Sequence, residues 1–479
     1  MFDGLKPYPG YSTGHLGSLP VGWGVPRFRG VGRMLVSTVD KHTHENEATV
    51  RLCNYVDVYK NDYITNGLVF MRATATATEI RQFRINRDDV LITKDSESFA
   101  DIGVPAYVVE EAEDLVCGYH LAILRTQKDV LGGAYFFRAL QVAAIAHQLH
   151  VAAGGVTRFG LSHDDIKSVR VPVPPLDDQR AIVRYLAHAN ARIDRAIAAK
   201  RKLIALLEEQ TRSISHDVVV HGVQSDPELR DSGIRWLGSI PSHWRTPALR
   251  RVARVLSGST PSRAEARYWS PGVIPWVSSG KVNERRIKTP SELISTAALA
   301  ECSLEMVPIG SVVVGLVGQG RTRGLSAILE ISACPNQNLA ALVSGELILS
   351  DFLLATLTAA YSELRSLGRG GNQAALNGGI LGSFQIPLPP IEEQRKILGH
   401  VERATASAAK GLSMARREIV LLREFRSRLT ADVVTGQVDV RAIAATWPDI
   451  DLKTQPTEAG AGADDADGSI EEFLEEVDA

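Results

Sequence analysis

An internal duplication is the feature that most limits what this chain can fold into. The segment PVPPLDDQR at 172–180 recurs as PLPPIEEQR at 387–395. Each copy runs into a long, proline-free stretch rich in alanine, leucine and arginine, and the two stretches close on DVVVHG and DVVTG. Upstream, LGSLPVGW at 16–23 recurs as LGSIPSHW at 237–244. The repeat predicts one plan used twice, a globular part followed by a long helix.

Between these shared anchors the two halves differ strongly in sequence. A shared frame with divergent interiors indicates one task carried out on two different targets. The plan predicts a first globular domain at 1–171, a first long helix at 172–222, a linker at 223–236, a second globular domain at 237–386, a second long helix at 387–436 and a disordered acidic tail at 437–479.

Short β-rich runs predict that each globular part is an α+β domain. Examples are Val90–Thr93, Ala106–Val109 and Ser311–Val317, which alternate with turn-rich loops. We expect a curved sheet in each domain. Trp23 and Trp244 occupy equivalent positions in the repeated frame, and we interpret both as core anchors.

Both long stretches carry apolar residues at alternating spacings of three and four. Such a pattern predicts a left-handed coiled coil, most simply an antiparallel pair formed by the two helices of one chain. The predicted seam comprises Val183, Leu186, Ile193, Ile197, Ile204, Leu207 and Ile214, and the residues at the equivalent positions of the second copy, Leu398, Val401, Ala408, Leu412, Ile419, Leu422 and Leu429. Polar seam entries at Asn190, Lys200 and Thr211 can fix the register.

The helices admit two interpretations. They can serve as a scaffold only, or as a rigid rod of roughly 60 Å that holds two globular heads and offers its outer faces to partner helices. The divergent heads favour the second interpretation.

Charge and cysteine content narrow the class of protein. The chain has a net charge of −2, but the segment after Lys453 holds nine acids and no lysine or arginine, so the remainder carries +7. The four cysteines have no CxxC spacing, which argues against a zinc site or a disulfide framework and fits a reducing cytoplasm. No apolar run is long enough to span a membrane.

Two segments resemble catalytic motifs in sequence but lack a residue or an arrangement that the chemistry of the motif requires. GLVGQGRT at 315–322 approaches the phosphate loop GxxxxGK[ST], but Arg321 stands where the lysine should be, and the residues that follow resemble a strand. PDIDLK at 448–453 has the letters of a nuclease site, but such sites gather carboxylates from separate strands around a metal. We therefore expect no catalytic residue and no metal site in this chain.

The ordered set of motifs resembles the specificity subunits of type I restriction–modification systems. The resemblance covers nearly the whole chain to about residue 436 and excludes the acidic tail. It is carried by the two proline motifs, by LGSIPSHW, by STPSR and VIPWVSSGKV in the second domain, and by GGNQAALN at 370–377. Each motif alone is a weak indicator of this family, but the occurrence of the motifs in the same order in both halves of the chain is a specific one.

This resemblance implies a non-catalytic subunit with two target-recognition domains, each of which binds half of a split site on double-stranded DNA. It also implies two methyltransferase subunits that grip the helices, and motor-nuclease subunits that join them. The chain would bind no cofactor, and the complex would use S-adenosylmethionine, ATP and Mg²⁺ on its partner subunits.

Polar and basic side chains in loops are the candidates for DNA contact, because cations bind phosphates and polar groups bind base edges. In the first domain they are Thr93, Lys94, Ser96 and Arg158. In the second domain they are Arg263, Lys281, Arg285, Arg286, Arg321, Arg323, Arg369, Asn372 and Gln373.

Two alternative functions belong to other classes. A self-contained nuclease or nucleotide-driven enzyme would require motifs that the sequence lacks. A purely structural coiled-coil scaffold would leave the two divergent domains unexplained, and heads that bind DNA without sequence preference would favour it.

Overall fold

The computed structural model describes residues 6–14, 16–155, 158–318, 322–369 and 374–452. The chain forms two compact units: unit 1 comprises residues 1–202 and 415–479, and unit 2 comprises residues 203–414. Both units contain strands and helices, so the predicted α+β class is confirmed. Each unit also takes half of both long helices, because these halves contribute side chains to its core.

Unit 1 is built mainly from short elements. Its strands are β1 (Tyr11–Gly14), β2 (Gly17–Pro20), β3 (Gly32–Val36), β4 (Ala48–Cys53), β5 (Tyr63–Ile64), β6 (Met71–Ala75), β7 (Val90–Thr93), β8 (Asp95–Ser96), β9 (Pro105–Val108), β10 (Leu115–Cys117), β11 (Leu121–Thr126) and β12 (Phe159–Gly160). Its short helices are α1 (Tyr55–Tyr59), α2 (Ala77–Phe83), α3 (Gly133–Leu140), α4 (Ala143–Ala152) and α5 (His163–Ser168). The first long helix, α6, is Leu176–His221.

Unit 2 repeats this inventory in outline. Its strands are β13 (Leu229–Asp231), β14 (Ser239–Pro241), β15 (Ala253–Ser257), β16 (Ile274–Val277), β17 (Arg286–Ile287), β18 (Glu292–Ile294), β19 (Val312–Gly315), β20 (Ser326–Leu329), β21 (Cys334–Pro335) and β22 (Leu339–Ser344). Its short helices are α7 (Thr296–Glu301), α8 (Ser350–Ala359), α9 (Tyr361–Ser366) and α10 (Gly378–Ser383). The second long helix, α11, is Ile391–Val434, and α12 (Arg441–Ala444) follows it in unit 1.

The two units share one sheet topology. The five-stranded sheet has the order β3-β11-β7-β9-β5 in unit 1 and β15-β22-β19-β20-β17 in unit 2. In both sheets the last pair is parallel, and the other pairs are antiparallel. A three-stranded sheet accompanies each, β10-β4-β6 in unit 1 and β21-β16-β18 in unit 2. The duplication therefore extends through the divergent interiors.

The central strands are covered on both faces. All four residues of β7 and of β19 are buried. In unit 1, Val90 and Ile92 belong to a core with Phe136 of α3, whereas Leu91 belongs to a separate core with Ile123. A strand in this position requires the continuous apolar run that the sequence shows, rather than an alternating pattern.

The glutamine of each proline motif fastens a long helix to its globular part. Gln179 is 2 % exposed; its Oε1 accepts from Gly132 N at 2.8 Å, and its Nε2 donates to the carbonyls of Val130 and Pro174, each at 2.8 Å. Gln394 makes the equivalent three bonds, accepting from Leu349 N and donating to Leu347 O and Pro389 O. The repeated motif is thus a hydrogen-bonded clasp.

The two long helices pack against each other in an antiparallel pair, as predicted. In unit 1 the first half of α6 meets the second half of α11, where Leu186 and Leu429 share a core and Arg426 forms an ion pair with Asp194. In unit 2 the remaining halves meet, and a Cβ on Gly411 would lie 3.1 Å from Leu207 Cδ1.

The predicted seam residues occupy the inward side of these helices. Those that are buried are Leu186, Ile193, Ile197, Ala408, Ile419 and Leu429. Those that are partly buried are Val183, Ile204, Leu207, Ile214, Leu398, Val401, Leu412 and Leu422. The heptad pattern did not predict the Arg426–Asp194 pair, because both residues look like ordinary surface charges in the sequence.

Two predicted boundaries require correction. The disordered tail does not begin at residue 437, because Val440 and Ala444 are fully buried and Trp447 stacks on Tyr185 with ring centres 5.4 Å apart. The tail's remaining residues, 453–479, lie outside the described residues. The predicted linker at 223–236 belongs to unit 2, where β13 pairs with β14 and Trp236 stacks on Phe384.

Both repeated tryptophans are buried, Trp23 at 8 % exposure and Trp244 at 2 %, which agrees with their interpretation as core anchors. Within the described ranges, no helix has the length and apolar character to cross a membrane.

Candidate nucleic-acid interface

Three segments meet at an equivalent place in each unit, which we call the junction. In unit 1, Lys94 N donates to His120 O at 3.1 Å, and Leu161 N donates to Lys94 O at 2.9 Å. The junction therefore joins the end of β7, the turn before β11 and the chain that enters α5.

Unit 2 builds its junction with the same backbone bonds. Leu316 N donates to Asn338 O at 2.8 Å, and Leu376 N donates to Leu316 O at 2.8 Å. The bonds link the end of β19, the turn before β22 and the chain that enters α10. One backbone framework is thus used in both units.

The helices that follow the junctions begin in the same way. The side chain of Ser162 accepts from Asp165 N at the start of α5, and that of Asn377 accepts from Ile380 N at the start of α10. Serine and asparagine are favoured at this capping position because they satisfy a free backbone N–H. Ser162 and Asn377 are separated by the same stretch of chain as the two copies of the proline motif, so they occupy equivalent positions of the repeat.

Charged side chains converge on Asp95 in the unit 1 junction. Lys94 Nζ donates to Asp95 Oδ2 at 2.8 Å, and Arg158 Nη2 donates to Asp95 Oδ1 at 2.8 Å. His120 Nδ1 also contacts Oδ1. Burial on its own would raise the pKa of Asp95, but the bonds from Lys94 and His120 outweigh it, so this pKa lies below its usual value. The carboxylate is therefore ionised at neutral pH.

The unit 1 junction opens to solvent through Arg158 and is flanked by aromatic rings. The Arg158 side chain is 52 % exposed, whereas that of Asp95 is 18 % exposed. Tyr119 lies against His120 with ring centres 3.7 Å apart, and the exposed Phe99 contacts Phe159 edge to face. Sequence reasoning missed Asp95, His120 and Tyr119, because the candidates for DNA contact were basic, hydroxyl and amide side chains.

The unit 2 junction has a different chemical character. Val317 follows Leu316 where Asp95 follows Lys94, and Asn338 replaces His120. Arg323 lies over the neighbouring loop and its Nη1 donates to Ala374 O. Arg369 pairs through its backbone with Ala375 and exposes its side chain. The predicted residues Arg323 and Arg369 therefore lie close together, in the loop after β19 and in the chain that leads to α10.

Two of the residues predicted to contact DNA in unit 1 are buried in the described structure. Thr93 is 0 % exposed, and its hydroxyl donates to Asp101 O and accepts from Val104 N. Ser96 is 7 % exposed and bonds Tyr55 and Ser98 N. Both hydroxyls are hydrogen-bonded within the chain and stabilise the loop after β7. Lys94 and Arg158, by contrast, are brought together on Asp95.

Three of the remaining predicted cations of unit 2 bind acidic side chains. Arg263 stacks 3.6 Å from the centre of the Trp269 ring and is paired with Glu292, and Lys281 contacts Glu284. Arg286 binds Glu330 and Asp351. Arg285, next to Arg286 in the chain, is exposed.

These pairs show that a basic residue in a loop is a weak signal for a free cation. The other predicted contacts, Arg321, Asn372 and Gln373, lie outside the described residues. The segment after the glycine-rich stretch at 315–322 is strand β20, as expected, so no helix follows whose first turn could hold a phosphate.

The fold and the junctions define a duplicated protein. Its two junctions share one backbone arrangement but carry different side chains. A sequence profile of the type I restriction modification DNA specificity domain matches residues 41–209 and again residues 241–408. Since the two matches cover well over half of the chain, the protein belongs to this family, the specificity subunits of type I restriction–modification enzymes.

Relatives agree with this assignment. The chain is 22 % identical over 367 residues to a putative type I restriction enzyme specificity subunit of Methanocaldococcus jannaschii, which covers 76 % of this chain and 81 % of the relative. It is 28 % identical over 184 residues to a specificity subunit of an Escherichia coli type I restriction enzyme, covering 37 % of this chain and 44 % of that subunit.

A solved structure supports the fold. It comes from a study of complex assembly and conformational transition of a type I restriction–modification system. The likeness has a TM-score of 0.61 at 18 % identity and covers 88 % of this chain and 99 % of the other.

Proposed function

We propose that this protein is the DNA-reading subunit of a type I restriction–modification complex, and that each unit recognises one half of a split site. The observation that carries the proposal is the pair of junctions, one backbone framework with Asp95 and His120 in unit 1 but Val317 and Asn338 in unit 2. Base edges are distinguished by hydrogen-bond donors, acceptors and apolar contacts, so different side chains would select different bases. Cations outside the junctions would bind phosphates and set the register.

The long helices would dock two methyltransferase subunits, which motor-nuclease subunits join. Apolar side chains exposed on these helices support this role, namely Leu203 at 40 %, Leu206 at 56 %, Met414 at 55 % and Leu421 at 49 % exposure. A helix buries such residues when a partner helix packs on it. The chain would supply no catalytic group, so S-adenosylmethionine, ATP and Mg²⁺ would belong to the partners. The complex would act in the cytoplasm, where the free cysteines stay reduced.

Mapping of methylated bases in the host genome, with and without this gene, tests the proposal. We expect one split motif to lose its methylation when the gene is deleted and to regain it when the gene is restored. Persistence of every split motif after deletion would contradict a DNA-reading role. DNA cleavage or ATP hydrolysis by the purified chain alone would favour a self-contained enzyme.

A further inference from the structure

We infer that Asp95 is a specificity-determining residue of unit 1. Its carboxylate prevents the surrounding cations from binding phosphates regardless of sequence, and keeps them positioned to bind base edges. The inference rests on the proposed DNA-reading function and adds to it a named group and its chemistry.

Three polar side chains surround the carboxylate of Asp95. Lys94 Nζ, Arg158 Nη2 and the His120 ring all contact this one carboxylate, and both of its oxygens are used. Without the carboxylate, Lys94 and Arg158 would form a concentrated cationic site. Phosphate contacts by such a site are independent of sequence and supply most of non-specific binding. A carboxylate 2.8 Å from the guanidinium repels a phosphate at that place and so disfavours this mode of binding.

The geometry supports a reading role for the groups that Asp95 holds. Arg158 is half exposed, so its guanidinium can exchange a bond to Asp95 for a bond to DNA. Arginine binds the O6 and N7 acceptors of guanine, and a carboxylate accepts from the amino group of cytosine. The pair Arg158 and Asp95 therefore presents a donor and an acceptor side by side, an arrangement that can distinguish base pairs.

Comparison with unit 2 separates this role from a purely structural one. Unit 2 makes the same junction bonds with Val317 in the position of Asp95. The framework therefore does not require a carboxylate there. Asp95 is thus an acid that the framework does not need, and Val317 replaces it in unit 2. We therefore expect Asp95 to contribute to recognition of the DNA half-site that unit 1 binds.

Asp95→Asn in the full chain, assembled with its methyltransferase subunits, tests the inference. It removes the negative charge while keeping the size of the side chain. We expect affinity for DNA that lacks the motif to rise by about tenfold. The slope of the logarithm of the binding constant against the logarithm of the salt concentration should steepen by about one for each cation that becomes free to bind a phosphate. The preference for cognate DNA should fall, and the methylated motif should lose selectivity for at least one base of one half-site. The other half-site should be unchanged.

Asp114→Asn is the matched control. Asp114 lies in the same unit and binds Arg51 Nη2 at 2.7 Å, so the substitution makes the same change of charge away from the junction. It should leave the salt dependence and both half-sites as in the wild-type complex. A general increase in positive charge would instead affect both variants equally, and that result would overturn the inference.

Arg158→Ala provides a second test, because its side chain is half exposed and the fold should tolerate its loss. We expect the same half-site to lose selectivity without a steeper salt dependence. Intact selectivity and an unchanged salt slope in both the Asp95→Asn and Arg158→Ala complexes would overturn the inference while leaving the proposed function in place. A wild-type complex that methylates no split motif would instead refute the proposed function itself.

Discussion

Substitution of the two clasp glutamines tests the structural meaning of the repeated proline motif. Gln179→Ala removes three hydrogen bonds of 2.8 Å and leaves Gly132 N, Val130 O and Pro174 O without their partner. At a net contribution of about 1 kcal/mol for each buried bond, the loss is about 3 kcal/mol. For a unit of this size, it corresponds to a fall of roughly 6–12 °C in the melting temperature.

Gln394→Ala should have an equal effect in unit 2, because Gln394 makes the same three bonds. The two sites lie in separate units, so their effects should be independent. Gln385→Ala is the control, since Gln385 is exposed and its side chain bonds only Thr246 O at 3.2 Å within the described structure. Gln179→Glu should not rescue stability, because its carboxylate would face two carbonyl oxygens.

Scanning calorimetry of the full chain measures these effects directly. We expect the transition of one unit to move in each single variant and both transitions to move in the double variant. Shifts no larger than that of Gln385→Ala would refute the view that the motif is a clasp, and would leave it as a conformational signal only.

Two further predictions concern thiol reactivity and the chain terminus. Burial raises the pKa of Cys53, Cys117 and Cys334, the last to about 11, so a thiol reagent at pH 8 should label only Cys302 in the native chain, as mass spectrometry would show. Labelling of Cys53 or Cys117 under native conditions would contradict the structure. Truncation after Leu452 should leave the stability of unit 1 unchanged, whereas truncation after Gly436 should lower it by about 3 kcal/mol, because Val440, Ala444 and Trp447 lose their packing. Equal melting temperatures of the two truncated chains would contradict the described packing of residues 437–452.

The elements with regular periodicity were predictable from the sequence. The seam residues from Val183 to Leu429 follow from apolar spacing, because a helix brings residues three and four apart onto one face. The central strands follow from their continuous apolar runs. The arrangement of strands into a five-stranded and a three-stranded sheet did not follow, because short strands pair with partners far away in sequence.

The candidate site was predictable only in part. Lys94 and Arg158 were found because they are basic residues in loops, but Asp95 and His120 were not, since their role arises from contacts among three separate segments. Arg263 and Arg286 were predicted to contact DNA, and nothing in the sequence indicated that they pair with acidic side chains, because those pairs depend on side-chain positions. The spacing of the proline motif, extended upstream to Ser162 and Asn377, identifies the segments that enter α5 and α10 as equivalent. The other two junction segments do not keep this spacing, so the sequence alone does not pair them.

The central claim is that each unit reads its own half of a split DNA site. An exchange of residues 245–386 for the equivalent part of a related subunit with a different target tests it most directly, with methylated-base mapping as the readout. The account predicts a hybrid motif in which one half is replaced and the other half is retained. Replacement of both halves, or retention of both in an active complex, would contradict it.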